Sequence, residues 1–125
     1  MTDLIYKDLC YKVNGLAFEI FNTLGGELRE KIYADAFEEL LKREKIKYRR
    51  EVYYPVLING KVISKNYFDF VIDDILMIEI KKGSRDYRQV CTQLFQYLKT
   101  SNLKLGLVIR FTKDGARIKR VPNLY

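Results

Sequence analysis

The chain of 125 residues contains no histidine. That one absence excludes catalytic triads, histidine nucleophiles and histidine metal ligands. Any metal must then be held by carboxylates and carbonyls, which favours hard cations such as Mg²⁺ or Mn²⁺ over Zn²⁺. Cysteine is scarce as well. Cys10 and Cys91 are the only two, lack C-x-x-C spacing, and each falls within a helical pattern. Both are read as reduced and partly buried rather than as redox or metal groups. There is no apolar run of about 18 residues, so nothing is expected to span a membrane. The opening stretch "MTDLIYKDLCYKV" carries charges throughout and lacks the apolar segment of a signal peptide. The expected location is the cytoplasm. No low-complexity tract, linker or internal repeat interrupts the chain.

What is present is an ordinary core composition with an unbalanced charge. Hydrophobic residues make up 48%, enough for this length to bury a core without staples. One domain, residues 1–125, is the natural expectation. The formal net charge is +7 and the sequence pI is near 9.4. Such a balance points to an anionic partner, nucleic acid being the commonest, with a merely basic solvated surface as the plain alternative.

Apolar residues recur at spacings of three and four in Ile5, Leu9, Val13, Leu16, Ala17, Ile20 and Leu24, which predicts an amphipathic helix over 3–24 ended by Gly25-Gly26. A second helix is expected over about 27–45, with Tyr33, Ala36, Phe37, Leu40 and Leu41 as its stripe. Extended back one turn, that stripe reaches Glu30, which should point inward or along the sheet edge. Residues 47–58 and 61–72 read as strands joined by Asn59-Gly60, a strong two-residue hairpin signal. Asp73-Asp74 turns the chain into a third strand, "ILMIEIKK", which ends at Gly83-Ser84. "RDYRQVCTQLFQYLKTS" is a third helix, with Val90, Leu94, Tyr97 and Leu98 on one face. "LKLGLVIRF" is a continuous apolar run, expected as a central strand, and "ARIKRVP" is a last short strand. The order implies an antiparallel meander, then a parallel crossover through the third helix. The fold class is α/β (α+β): a mixed central sheet of about five strands flanked by helices.

Within "FDFVIDDILMIEIKKG" (68–83), Asp69, Glu79 and Lys81 sit inside apolar strands. An unpaired buried charge is costly. Glu79 and Lys81 share one face of their strand, and Ile78 and Ile80 take the other. A tight turn brings Asp69 near Glu79, within a residue or two of register. Two close carboxylates raise each other's pKa unless a cation lies between them. A divalent metal would resolve the conflict and would supply an activated water and a neutralised phosphodiester oxygen. Lys81 would orient that water or stabilise the developing charge. Glu-x-Lys alone is a weak signal, and a cross-strand salt bridge on a half-exposed face is the alternative.

These residues resemble the PD-(D/E)XK nuclease superfamily, with Asp69 as the Asp and Glu79-Ile80-Lys81 as the [D/E]-x-K. More narrowly, "LGGELREKIYADAF" (24–37) and "QLFQYLKTSNLKLGLVIRF" (93–111) resemble the GxxExxY proteins, with Glu30 and Tyr33 as the E and Y. The resemblance covers most of residues 10–112 and implies a restriction-endonuclease-like core. It implies a metal held by Asp69, Glu79, the backbone carbonyl of Ile80 and Glu30. It also implies that Gln93 points into the site, with Tyr97 one turn on. Tyr97 and Tyr33 also read as core packing. Two departures stand out: Glu27 occupies the Gly position of G-x-x-E, where Gly25 and Gly26 are neighbours, and Phe68 stands where the Pro would precede the Asp.

Basic residues cluster in "KREKIKYRR" (42–50), in "KKGSRDYR" (81–88) and around Arg110, Lys113, Arg117, Lys119 and Arg120. Lys82, Arg85 and Arg88, beside the site, are the foremost phosphate contacts, with Arg49 and Arg50 behind them. Tyr48, Tyr53, Tyr54 and Tyr87 are placed to stack on bases. The expected activity is Mg²⁺-dependent phosphodiester hydrolysis, with DNA favoured as substrate. The alternatives are a structure-selective, junction-resolving homodimer and a non-catalytic nucleic-acid-binding accessory protein.

Overall fold

The structure, a computed structural model, describes residues 6–83 and 87–123. Ile5 and Arg85, and the side chain of Tyr87, lie outside the described residues. Helix α1 spans Lys7–Leu24, α2 Glu30–Arg43 and α3 Tyr87–Ser101. The strands are β1 Tyr48–Ile58, β2 Lys61–Ile72, β3 Leu76–Lys82, β4 Leu105–Phe111 and β5 Ala116–Pro122. They form one sheet in the order β1-β2-β3-β4-β5. Only β3 and β4 run parallel, because only they are joined through a helix. This is the α/β architecture expected. No helix among the described residues is long and apolar enough to cross a membrane.

The sheet buries both faces. On one, α1 contributes Val13, Leu16, Ala17 and Ile20, and α2 contributes Tyr33, Phe37 and Leu41, against Phe70, Ile72, Ile78, Ile80, Leu107 and Ile109. On the other, Leu94 and Leu98 of α3 cover Phe68, Val71, Met77 and Val108. Full coverage explains why β4 reads as an uninterrupted apolar run.

The link between α1 and α2 departs from the sequence expectation. Gly25 ends α1 with φ +78°, and its N–H donates to the Phe21 carbonyl at 2.8 Å. Glu27 is also left-handed, with φ +62°, so α2 begins at Glu30 rather than 27. A non-glycine residue held left-handed costs about 1 kcal/mol. Glu27→Gly is therefore expected to raise stability by ~1 kcal/mol, read as a higher midpoint in denaturant unfolding. Tyr33 locks the same turn. Its hydroxyl donates to the Gly25 carbonyl at 2.7 Å and accepts the Leu28 N–H at 3.0 Å. Its ring stacks on Phe111, with centroids 4.0 Å apart. Tyr33 is a packing residue that fixes where α2 starts, and hence where Glu30 stands.

Candidate active site

Strands β2 and β3 pair over only three residues, Phe70–Ile72 against Leu76–Ile78, and then separate. The turn between them holds three residues, not two. Asp73 and Asp74 are left-handed, and Ile75 N–H donates to the Ile72 carbonyl at 3.0 Å. The added residue moves the register by one and sets Asp69 directly across from Glu79.

At the fork, side chains take over the ladder. The Ile80 N–H donates to Asp69 Oδ2 at 2.7 Å, and the Asp69 N–H donates to Glu79 Oε1 at 3.3 Å. Each carboxylate thus satisfies a backbone donor that the diverging strand leaves behind. One strand outward, Glu51 is left-handed with φ +52°. Tyr48 packs toward the α1/α2 face, whereas Val52 and Tyr54 pack toward α3. Phe70 and Phe68 divide between the faces in the same way. Both strands of the hairpin change faces at the Glu51/Asp69 level.

Three acids meet electrostatically here. Burial, with the Asp69 charge second, pushes the Glu79 carboxyl up to about 8. Burial also raises Asp69, while the Ile80 N–H and Lys81 pull it down. Glu30 raises both from the first turn of α2, where its Oε2 accepts the Lys82 N–H at 3.0 Å. Glu30 is exposed rather than turned inward, but its carboxylate is tied to the end of β3. Lys81 favours ionisation of both Asp69 and Glu79. Glu30, Asp69 and Ile80 line one cleft of about 250 Å³, with Lys31, Arg50 and Glu51 around it. Glu79 and Lys81 are on the face of β3 opposite Ile80.

Across the site, Tyr97 is raised first by burial and then by the Glu79 charge, and it hydrogen-bonds Gln93. Its ring lies 5.4 Å from Phe68, whose other neighbour is Tyr54 at 5.5 Å. Tyr97 is therefore both packing and site wall. Gln93 is exposed and reaches the site's edge through Tyr97. Phe68, in place of a proline, is a core residue with 1% exposure.

The arginines divide. Arg50, at the rim of the cleft, is held by protein partners. It is 19% exposed, bonded to Asp35 and Glu38 at 2.8 and 2.9 Å, and lies over the Phe70 ring at 5.6 Å. Three non-local neighbours fix it as a brace between α2 and β1. Arg49 is exposed and within 3.5 Å of Asp74 at the β2–β3 turn. Lys82, whose N–H Glu30 accepts, and Arg88, in the first turn of α3, are both exposed. Glu51 is the residue that sequence reasoning passed over. Its signal was the same as that of Asp69, an acid inside a strand pattern.

Among the described residues, no three acidic or cysteine side chains stand together in metal-holding geometry. The donor chemistry nonetheless fits a hard cation: carboxylates and a carbonyl, each of Asp69, Glu79 and Glu30 using one oxygen on a backbone N–H. Burial first and the Asp69 charge second raise the Glu79 carboxyl, and a cation bound there would favour its ionised form.

The sequence model of the PD-(D/E)XK nuclease superfamily matches residues 7–121. The chain belongs to the PD-(D/E)XK nuclease superfamily. Within the matched span, Asp69 lies on β2 and Glu79-Ile80-Lys81 on β3, the two strands that diverge. The solved structure of SSO0001 superposes with a TM-score of 0.57 at 22% identity, covering 94% of this chain and 57% of that one. The likeness is one of fold, and this chain spans little more than half the length of SSO0001. A search of curated proteins found no match.

Proposed function

We propose that this PD-(D/E)XK domain is a divalent-metal-dependent nuclease that hydrolyses phosphodiester bonds, with DNA as substrate, and that it falls among the GxxExxY proteins. The observation that carries the reading is the pair of half-buried carboxylates facing each other at the β2–β3 fork with Lys81 alongside. Each carboxylate uses one oxygen on a backbone N–H at the fork, but two half-buried acids set across from each other are costly unless a cation and an anionic substrate use the site.

Asp69, Glu79 and the Ile80 carbonyl would hold the metal, with Glu30 completing the set. When bound, Mg²⁺ or Mn²⁺ supplies Lewis-acid activation of water and charge neutralisation at the phosphodiester. The chain's own residues do the rest. The Ile80 and Asp69 N–H groups fix the two carboxylates in rotamer. Lys81 orients the attacking water and offsets the charge that develops on the phosphoryl oxygens. Gln93, set by Tyr97, lines the α3 side. Lys82 and Arg88 hold flanking phosphates. The GxxExxY assignment rests on Glu30 and Tyr33, one tied to β3 and the other closing the turn before it.

Lys81→Ala is expected to lower the rate of oligonucleotide cleavage by about 10²–10³-fold. Substrate binding in EDTA should weaken only a few-fold. Gel-resolved cleavage and anisotropy separate the two. Cleavage at the wild-type rate would remove Lys81 from the reaction.

A further inference from the structure

The β1–β2 hairpin is much longer than the sheet needs. β3 pairs with β2 only at Phe70–Ile72, but β2 begins at Lys61 and β1 ends at Ile58. Beyond the Glu51/Asp69 level the two strands continue without a third strand beside them, first packed against α3 through Val52, Tyr54 and Phe68 and then exposed. Its root is fastened to α3, where Tyr54 Oη donates to the Thr100 carbonyl at 2.8 Å. Its outer part, residues 57–65, is exposed throughout. From Asp69 to the Asn59-Gly60 turn is roughly 30 Å at ~3.3 Å per residue.

This arm carries what a free ribbon ought to avoid. Ile58 and Ile63 are each 63% exposed and Leu57 52%. A hairpin with no third strand is marginal in water, and a contiguous apolar surface of this kind marks an interaction site. Charge selects the occupant. Between Glu51 and Asp69 the only charged residues are Lys61 and Lys65. A second copy would set like charges against like, whereas a polyanion is complementary.

We propose that the arm is a DNA-binding ribbon seated in the major groove of B-form duplex flanking the cleaved bond. The major groove admits a two-stranded ribbon, and apolar side chains there meet thymine methyls. The deep, narrow major groove of A-form RNA does not admit one. Lys61 and Lys65 contact phosphates on the walls of the groove. The arm's length matches about nine base pairs at ~3.4 Å each. Its root is the Glu51/Asp69 level, so a duplex lying along it leads to the cleft. The position of the cleaved bond rests on the nuclease reading; the groove contact does not.

The test is anisotropy of fluorescein-labelled DNA and RNA duplexes in EDTA, with wild type, Lys61→Ala/Lys65→Ala and Ile58→Ser/Ile63→Ser. Thermal melts confirm that each variant folds. The lysine variant is expected to reduce the slope of log affinity against log salt by about 2. The isoleucine variant is expected to weaken DNA binding about tenfold and leave RNA binding unchanged. Both losses should vanish on duplexes shorter than the arm. Wild-type DNA affinity in both variants would overturn the inference. So would variants that turn a dimer into a monomer by sedimentation while binding DNA normally, which would make the arm a protein interface. Arm-dependent DNA binding by a wild type that cleaves nothing would uphold the arm and defeat the nuclease reading.

Discussion

Glu79→Gln is expected to melt higher than the wild type at pH 8–9 in EDTA, and to cleave no DNA when metal is restored. The stability half follows from the raised carboxyl. Glu79 has an ordinary value of 4.5 and is pushed up to about 8 in the fold. A native state that holds its proton more tightly than the unfolded chain is most stable below the unfolded value. That stability is lost as pH rises from about 4.5 through about 8, at up to ~1.4 kcal/mol per pH unit. Gln is neutral at every pH and keeps an oxygen to accept the Asp69 N–H. The gap between variant and wild type should therefore open above pH 4.5 and level off beyond pH 8. A half-buried carboxylate keeps part of its hydration, so the plateau should be on the order of 2 kcal/mol, or roughly 5–10 °C. Mg²⁺ should raise the wild type's melting temperature and leave the variant's unchanged, because the variant has lost a ligand charge. The activity half follows because the same carboxylate is proposed to hold the metal. Melting curves across pH, with and without Mg²⁺, check both. A variant less stable than wild type at pH 8 would mean that ionised Glu79 is already compensated by the protein.

Gly26→Ala is expected to be the most damaging single-methyl change in the α1–α2 link. A Cβ at Gly26 would lie 1.9 Å from the Thr112 carbonyl oxygen and 2.7 Å from its carbon. Both atoms are backbone, and the β4–β5 turn that carries them is tied down. Thr112 N–H donates to the Gly115 carbonyl at 2.9 Å, and the Thr112 hydroxyl accepts from Asp114 and Gly115 at 3.2 Å. Neither side can yield without breaking hydrogen bonds, so the expected cost is about 2–4 kcal/mol. The link also aims α2, so Glu30 should lose its contact with Lys82 and cleavage should fall further than stability alone requires. Gly15→Ala is the control. It lies within α1 with nothing within 4 Å of an added Cβ, and should stabilise by ~0.5–1 kcal/mol. Denaturant unfolding of both variants separates sterics from helix propensity. A tolerated Gly26→Ala would show that the turn is softer than its hydrogen bonds suggest.

Much of this site was legible in the residues because its signals are local. The three-and-four spacing gave both N-terminal helices, and Asn59-Gly60 gave the hairpin. Asp69 and Glu79-x-Lys81 stood out because charges interrupt apolar strands. What was not legible is non-local or conformational. The third turn residue, Ile75, is apolar and looked like strand, yet it sets the register of the two acids. The change of faces at Glu51 and Asp69 breaks the period of two that pattern reading assumes. Arg50 read as one more cation in "KYRR", but Asp35 and Glu38 capture it from a helix 12 to 15 residues away. The reach of the arm depends on where β3 stops pairing, and neither strand of the hairpin encodes that.

The central claim is that the carboxylates and lysine at the β2–β3 fork form a metal-dependent phosphodiesterase centre. Incubating wild-type protein and Glu79→Gln with supercoiled plasmid, in Mg²⁺, in Mn²⁺ and in EDTA, tests it most directly. Nicked and linear DNA are expected from the wild type with metal, and intact plasmid in EDTA and with the variant under every condition. Cleavage that persists in EDTA, or that Glu79→Gln supports at the wild-type rate, would contradict it.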